Sequence, residues 1–380
     1  MFKILSILVA TLVCINSILF KTGSTKKDVH SVIMQTLVEN SHDDNLCFSQ
    51  LSMDMVLSMI YYGVPSMARS EFLQFNNIGK SFEWLSNLKN EIMLSNDIKF
   101  EMINKFYISF GYYIKPCYLK SLFDIGIDYD NVETMDFTKK EEVDKINEVV
   151  SKITHNEIND LVPEGAILPG VRSVIINAIS MKAAFKQPFD KNLTSKRKFT
   201  SMGLDEVTQV DTMYINATFK HFQNEKFNIV EIPYSLNGLS LLIVQPLECL
   251  RDNDWIGVFE TGAKVGPVSL FLPKFNVTSK MNLKNLLINV GIKKVFGINA
   301  NLGLLSNEHV FVCQGFHMAT LEVDETAPSS INEFNVDIES IHGTQSTPTE
   351  IRIDSTFYAY VVYESNNDKR VVFNSLIQKL

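Results

Sequence analysis

The sequence contains no long run of basic residues. Its basic clusters are Lys26-Lys27, Lys139-Lys140, Lys196-Arg197-Lys198, Lys293-Lys294 and Lys369-Arg370, and the formal net charge is -8 over 380 residues. Phosphate binding needs a clustered basic surface, so the sequence argues against nucleic acid as a partner and against a strong heparin-type patch. Catalytic signatures are missing as well: there is no Gly-x-Ser-x-Gly, His-Glu-x-x-His, Cys-x-x-Cys or Gly-x-Gly-x-x-Gly. Gly79-Lys80-Ser81 imitates the end of a phosphate loop, but Gln74 stands where its first glycine belongs. The seven histidines lack metal-ligand spacing, His309 and His317 being too far apart to share a helix face. No cofactor or metal is expected, and nothing supports an enzyme. His317, inside an apolar strand-like stretch, reads as a satisfied structural residue.

Cysteine is scarce. Of five, Cys14 lies in the N-terminal apolar segment, leaving Cys47, Cys117, Cys249 and Cys313 far apart in sequence. Four thiols allow three pairings and the sequence does not choose among them. Cys47, within an apolar stretch, reads as a buried thiol, so no disulfide framework is inferred.

Low-complexity linkers, repeats and Pro/Gly-rich boundaries are absent between Thr25 and Leu380, which favours one domain. The hydrophobic content of 46% and charged content of 21% are those of a globular chain. Lys3 followed by an apolar run from Ile4 to Phe20 and then Lys21-Thr22-Gly23 reads as a signal peptide over residues 1–20. The alternative is a membrane anchor, which about 17 apolar residues barely permit. Secretion agrees with three Asn-x-Thr sequons, at Asn192, Asn216 and Asn276.

Helical periodicity is clear in Met53, Val56, Leu57 and Ile60, in Val143, Ile146, Val149, Val150 and Ile153, and in Leu283, Leu286, Leu287 and Val290. Strand patterns dominate the second half, over residues 173–180, 228–234, 239–244 and 268–272. Asn237-Gly238 between the second and third predicts a hairpin. A largely helical first third followed by sheet with inserted helices is a mixed α+β arrangement.

Several segments together carry a family resemblance. They are Asn45-Leu-Cys-Phe-Ser-Gln-Leu-Ser52, Ile158-Asn-Asp-Leu-Val-Pro163, Asn177-Ala-Ile-Ser-Met-Lys-Ala-Ala-Phe185 with its continuation to Asp190, Val230-Glu-Ile-Pro-Tyr234, Leu272-Pro-Lys-Phe275, Leu283 to Gly291, and His317-Met-Ala-Thr-Leu-Glu-Val-Asp-Glu325. In this order and spacing the chain resembles the serpins, and the composition is similar to that of secreted serpins of large DNA viruses, with viral immune modulation as the role that implies. The resemblance implies a single domain over residues 21–380, with a large central β-sheet, two further sheets and about eight to nine helices. It places Ser49 and Ser52 under the central sheet, Asn177 and His317 in the region that opens, and Phe185 where the family usually has tryptophan.

The resemblance also implies an exposed loop over about residues 326–346. In inhibitory serpins a protease cuts this loop, and the freed strand inserts into the central sheet before deacylation. The alignment puts the bond near Gln345-Ser346 and the hinge at Glu325, Thr326, Ala327 and Pro328. The hinge departs from the family pattern of small residues, because Pro328 has no N–H to give to a ladder. The loop is also several residues longer than the family's usual span. Glu333-Phe-Asn-Val-Asp-Ile-Glu-Ser340 alternates polar and apolar and reads as a half-buried strand. These features favour a monomeric, secreted binding protein whose partner is a host protease or another extracellular protein. The alternative is a working inhibitor of a serine or cysteine protease. The C-terminus, with Ser375 in place of the family's glycine, is expected to remain a buried strand.

Overall fold

The computed structural model describes residues 27–40, 44–75, 78–201, 206–247, 255–327, 347–366 and 368–380. Among these, the helices are α1 (Val29–Asn40), α2 (Gln50–Gly63), α3 (Glu83–Met93), α4 (Pro116–Phe123), α5 (Lys140–Ile153), α6 (Trp255–Gly262) and α7 (Leu283–Val290), with three short 3-10 turns. The strands in chain order are β1 (Leu46–Ser49), β2 (Ile98–Ser109), β3 (Val132–Met135), β4 (Ser173–Ala183), β5 (Ser195–Ser201), β6 (Glu206–Gln223) and β7 (Phe227–Pro233). They continue with β8 (Leu239–Pro246), β9 (Lys264–Pro273), β10 (Phe275–Asn282), β11 (Gln314–Val323), β12 (Thr349–Arg352), β13 (Phe357–Ser365) and β14 (Asp368–Ile377).

A five-stranded central sheet has the order β10-β11-β4-β2-β3. The two further sheets share β6, whose length lets it pair with β5 and β9 along most of its course and with β7 at its end. They join into one nine-stranded path running from β1 to β12, with β5 beside β6.

In the middle of the central sheet β4 is buried on both faces, which is why it reads as a nearly continuous apolar run rather than an alternating one. Ile175, Ile179 and Met181 face the main core with Val56, Leu57 and Ile60 of α2. Val174, Ile176 and Ala178 face a second core with Ile146 and Val150 of α5. The three helical stripes read from the sequence thus lie in α2, α5 and α7; those of α2 and α7 are buried throughout, whereas in α5 Ile146 and Val150 are buried, Val143 and Ile153 half-buried, and Val149 lies at the exposed margin of the stripe. Serine at the N-cap starts α2: Ser49 Oγ accepts from Ser52 N at 3.1 Å.

The hairpin predicted at Asn237-Gly238 joins β7 to β8, which pair antiparallel. Gly238 has φ +77, and a Cβ there would lie 2.3 Å from the carbonyl oxygen of Glu364. Only glycine fits that turn. The C-terminus forms β14, between β1 and β13, and is buried from Val371 to Gln378.

Candidate functional site: the parallel seam of the central sheet

At the centre of the sheet β4 and β11 run parallel, in register from Val174 opposite Gln314 to Lys182 opposite Glu322. Their outer neighbours β2 and β10 are antiparallel to them. The chain leaving β11 at Val323 has to reverse to come back along it, and such a returning strand is antiparallel to β11 and therefore also to β4. A strand entering this seam would convert the one central parallel contact into two antiparallel ones.

The middle of the seam holds a buried polar network. Asn177 of β4 lies opposite His317 of β11, and both are fully buried. His317 Nδ1 donates to Asn177 Oδ1. The Asn177 amide donates to Ser52 O at 2.9 Å and to Asn104 Oδ1 at 2.5 Å. Ser52 Oγ donates to the same Asn104 oxygen at 2.9 Å, and the Asn104 amide reaches Met55 Sδ at 3.2 Å. Burial pulls the His317 ring down to about 3, so it is neutral. With Nδ1 as the donor, Nε2 is a bare acceptor, and it has no partner. His317 is therefore only half satisfied, where the sequence suggested a fully satisfied residue.

Ser49 and Ser52, read as a pair beneath the sheet, divide their work. Ser52 reaches the sheet through Asn104, whereas the Ser49 hydroxyl donates to Val372 O of β14 at 2.9 Å.

Charged side chains close the upper end of the seam. Lys182 Nζ bridges Glu322 Oε1 at 2.5 Å and Asp324 Oδ2 at 2.7 Å, linking the two strands. Asp324 is held down at about 2: partial burial opposes this, but hydrogen bonds from Lys182 and Thr326 prevail. Glu325 is buried, pairs with Lys274 at 2.7 Å and accepts from Thr194 Oγ1 at 2.6 Å. Its acidity is increased for the same kind of reason, with burial opposing and the Lys274 and Thr194 bonds prevailing. Thr326 folds back, its N–H and hydroxyl donating to Asp324 Oδ1 at 2.8 and 2.5 Å. Ala327 is exposed, and Pro328, the strand pattern 333–340 and Gln345-Ser346 lie outside the described residues.

Phe185, just beyond β4, is buried and stacks on Tyr234 with centroids 4.8 Å apart, while meeting Phe189 edge-on at 5.5 Å. Past the loop, β12 pairs with β9, and His221 Nε2 lies 3.3 Å from Thr349 Oγ1. Asn192, Asn216 and Asn276 are all exposed. Cys47 is the buried thiol expected, while Cys117 and Cys313 are free and Cys249 lies outside the described residues.

Sequence reasoning missed Asn104, Lys182, Lys274 and Asp324. The charged ends of two apolar strands, Lys182 and Glu322, were a usable signal. Asn104 gave none, because nothing local marks a lone asparagine on β2 as the partner of Ser52.

The family model described as Serpin (serine protease inhibitor) matches residues 25–375. The chain belongs to the serpin family. This serpin is 27% identical over 351 residues to a serpin-like protein of Methanosarcina acetivorans, across 88% of the chain and 81% of that protein. It is 31% identical over 262 residues to a serine protease inhibitor of Cyanea capillata, across 64% of the chain and 67% of that protein. Among solved structures, uncleaved ovalbumin superposes on it with a TM-score of 0.76 at 19% identity, covering 98% of this chain and 100% of that one. Native protease nexin-1 with heparin gives 0.75 at 20% identity, covering 99% and 100%. Both share its fold. Among the described residues no helix is long and apolar enough to cross a membrane.

Proposed function

We propose that this serpin is a secreted glycoprotein of one domain, residues 21–380, that acts by binding an extracellular protein, and that a protease meeting its loop cuts it as a substrate. The observation that carries this reading is the closed seam, paired from Val174 to Lys182 and clasped at its mouth by Lys182 and Glu325, directly ahead of a hinge that contains Pro328. Insertion has to separate His317 from Asn177 and carry Pro328 into the ladder. The missing N–H leaves an opposing carbonyl unpaired, at a cost of roughly 1–3 kcal/mol. About 2–3 kcal/mol on the insertion barrier slows it roughly 30- to 150-fold, and insertion has to outrun deacylation.

A second reading, a working inhibitor of a serine or cysteine protease cut at Gln345-Ser346, draws support from the unpartnered His317 Nε2, an acceptor that an incoming strand could satisfy. Incubation with a panel of serine and cysteine proteases followed by denaturing electrophoresis separates the two. The binding reading expects only cleaved chains, whereas a covalent complex that survives denaturation would establish the inhibitor.

A further inference from the structure

Arg197 of β5 is a half-buried guanidinium without a counter-ion. The other described arginines, Arg69, Arg172, Arg352 and Arg370, each donate to an oxygen. Among the described residues Arg197 has no ion pair and no hydrogen bond, although its Nε–H is buried. Its neighbour Lys196 does find a carboxylate, Asp211 at 3.2 Å. What holds the Arg197 side chain is an aromatic ring. Its guanidinium carbon lies 4.0 Å from the centroid of Phe271 on β9, and that of Arg352, opposite Phe271 on β12, lies 5.2 Å from the same centroid. Tyr214, opposite Phe271 on β6, packs its ring at 4.7 Å. The four side chains thus share one face of the β5-β6-β9-β12 layer. Attraction to the ring offsets part of the desolvation of Arg197, but a ring supplies no acceptor for the N–H donors of a guanidinium.

We propose that this face binds an acidic segment of a partner protein, with one carboxylate bonded to Arg197 and a second directed at Arg352. A planar, forked guanidinium matches a planar carboxylate, and the half-buried rings of Phe271 and Tyr214 give the methylene stem of a glutamate an apolar floor. The proposal rests on the reading that the chain acts by binding an extracellular protein, and it supplies the chemistry of that partner. The second position is guarded from within. Glu350 accepts from Arg352 Nε at 2.7 Å, and both side chains of this pair are exposed, so it exchanges readily with a carboxylate from outside. A chain with a net charge of -8 repels acidic ligands in general, so recognition here depends on these two guanidiniums rather than on bulk attraction.

Fluorescence anisotropy of a labelled hexaglutamate peptide, titrated with the full chain at low ionic strength, tests the proposal. The expected result is saturable binding that weakens as salt is added. Arg197→Gln should weaken it roughly five- to tenfold, the worth of a charge-assisted hydrogen bond at a half-buried site. Glu350→Gln should tighten it roughly two- to fivefold by releasing Arg352 from an exposed pair. Lys198→Gln removes a charge from the opposite face of β5 and should change the affinity by less than about twofold. A melting curve shows whether Arg197→Gln is folded, and Glu350→Gln, at an exposed position, decides the matter if it is not. Asn216 follows Tyr214 by two residues on the same face, so the titration is run before and after enzymatic deglycosylation, and binding in either form supports the site. Three results overturn the proposal: no saturable binding in either form, equal losses in Lys198→Gln and Arg197→Gln, or an affinity that Glu350→Gln leaves unchanged. The protease panel decides the underlying binding reading separately, through the covalent complex that it does or does not produce.

Discussion

His317 Nδ1 donates to Asn177 Oδ1 across the β4–β11 seam, leaving a neutral imidazole whose other nitrogen is buried without a partner. The ring titrates near 6.5 when exposed and at about 3 in the folded protein. Between those values the unfolded chain binds the extra proton, so the His317 contribution to stability is intact above pH 6.5 and declines as pH falls toward 3. His30 works in the opposite sense: burial would lower it, but Asp54 and Asp28 hold it up at about 10, so its contribution is full below 6.5 and is lost as pH rises toward 10. The readout is therefore the difference between wild type and His317→Gln. Urea unfolding should show the wild type losing about 2 kcal/mol more than the variant on going from pH 7 to pH 5. Parallel curves would mean that His317 is hydrated rather than buried.

Thr194 has two separable roles. Its hydroxyl completes the Asn192 sequon, and it also donates to the buried Glu325 carboxylate. Thr194→Ala should destabilise the protein by about 1.5–3 kcal/mol in urea titrations, the worth of a hydrogen bond to a charged acceptor. Asn192→Gln, which removes only the sequon asparagine from an exposed site, should change stability by less than about 0.5 kcal/mol. Equal losses in the two variants would assign the effect to the glycan.

Phe185 is enclosed by Tyr234 and Phe189. Phe185→Ala should cost about 3–5 kcal/mol, as for other buried aromatic truncations. A loss below about 1 kcal/mol in chemical denaturation would show that the ring carries no core packing.

Material secreted from a eukaryotic host should start shortly after Phe20 and carry glycan on at least one of Asn192, Asn216 and Asn276. Intact-mass spectrometry before and after deglycosylation measures both. A chain that retains Met1 and shows no glycan contradicts the secreted reading.

The sequence exposed the elements whose patterns are local. The stripes of α2, α5 and α7 follow helical spacing, and Asn237-Gly238 marked its hairpin because a positive φ demands glycine there. It also pointed to Asn177 and His317, but through family resemblance rather than through chemistry that can be read from neighbours. The network they belong to joins Ser52, Asn104, Asn177 and His317 from four separate elements, so its geometry exists only after folding. The Lys274–Glu325 clasp was hidden for the same reason, since β10 and β11 lie between the two residues in the chain. The sharing of β6 between the two smaller sheets left no local mark, because a long strand that changes partners along its length has the same alternation as two shorter ones.

The central claim is that the seam between β4 and β11 does not take up the loop, and the melting temperature of protein cut near Gln345 tests it most directly. A cut that allows insertion relaxes the native state and raises the melting temperature by a large margin, whereas an excluded loop leaves it nearly unchanged. Differential scanning calorimetry of intact and nicked protein should give melting temperatures that coincide for the wild type. For Pro328→Ala, the nicked form alone should move upward, since the substitution restores a ladder donor. A nicked wild-type protein that is markedly more heat-resistant than the intact one would contradict the account and identify the chain as an inserting, inhibitory serpin.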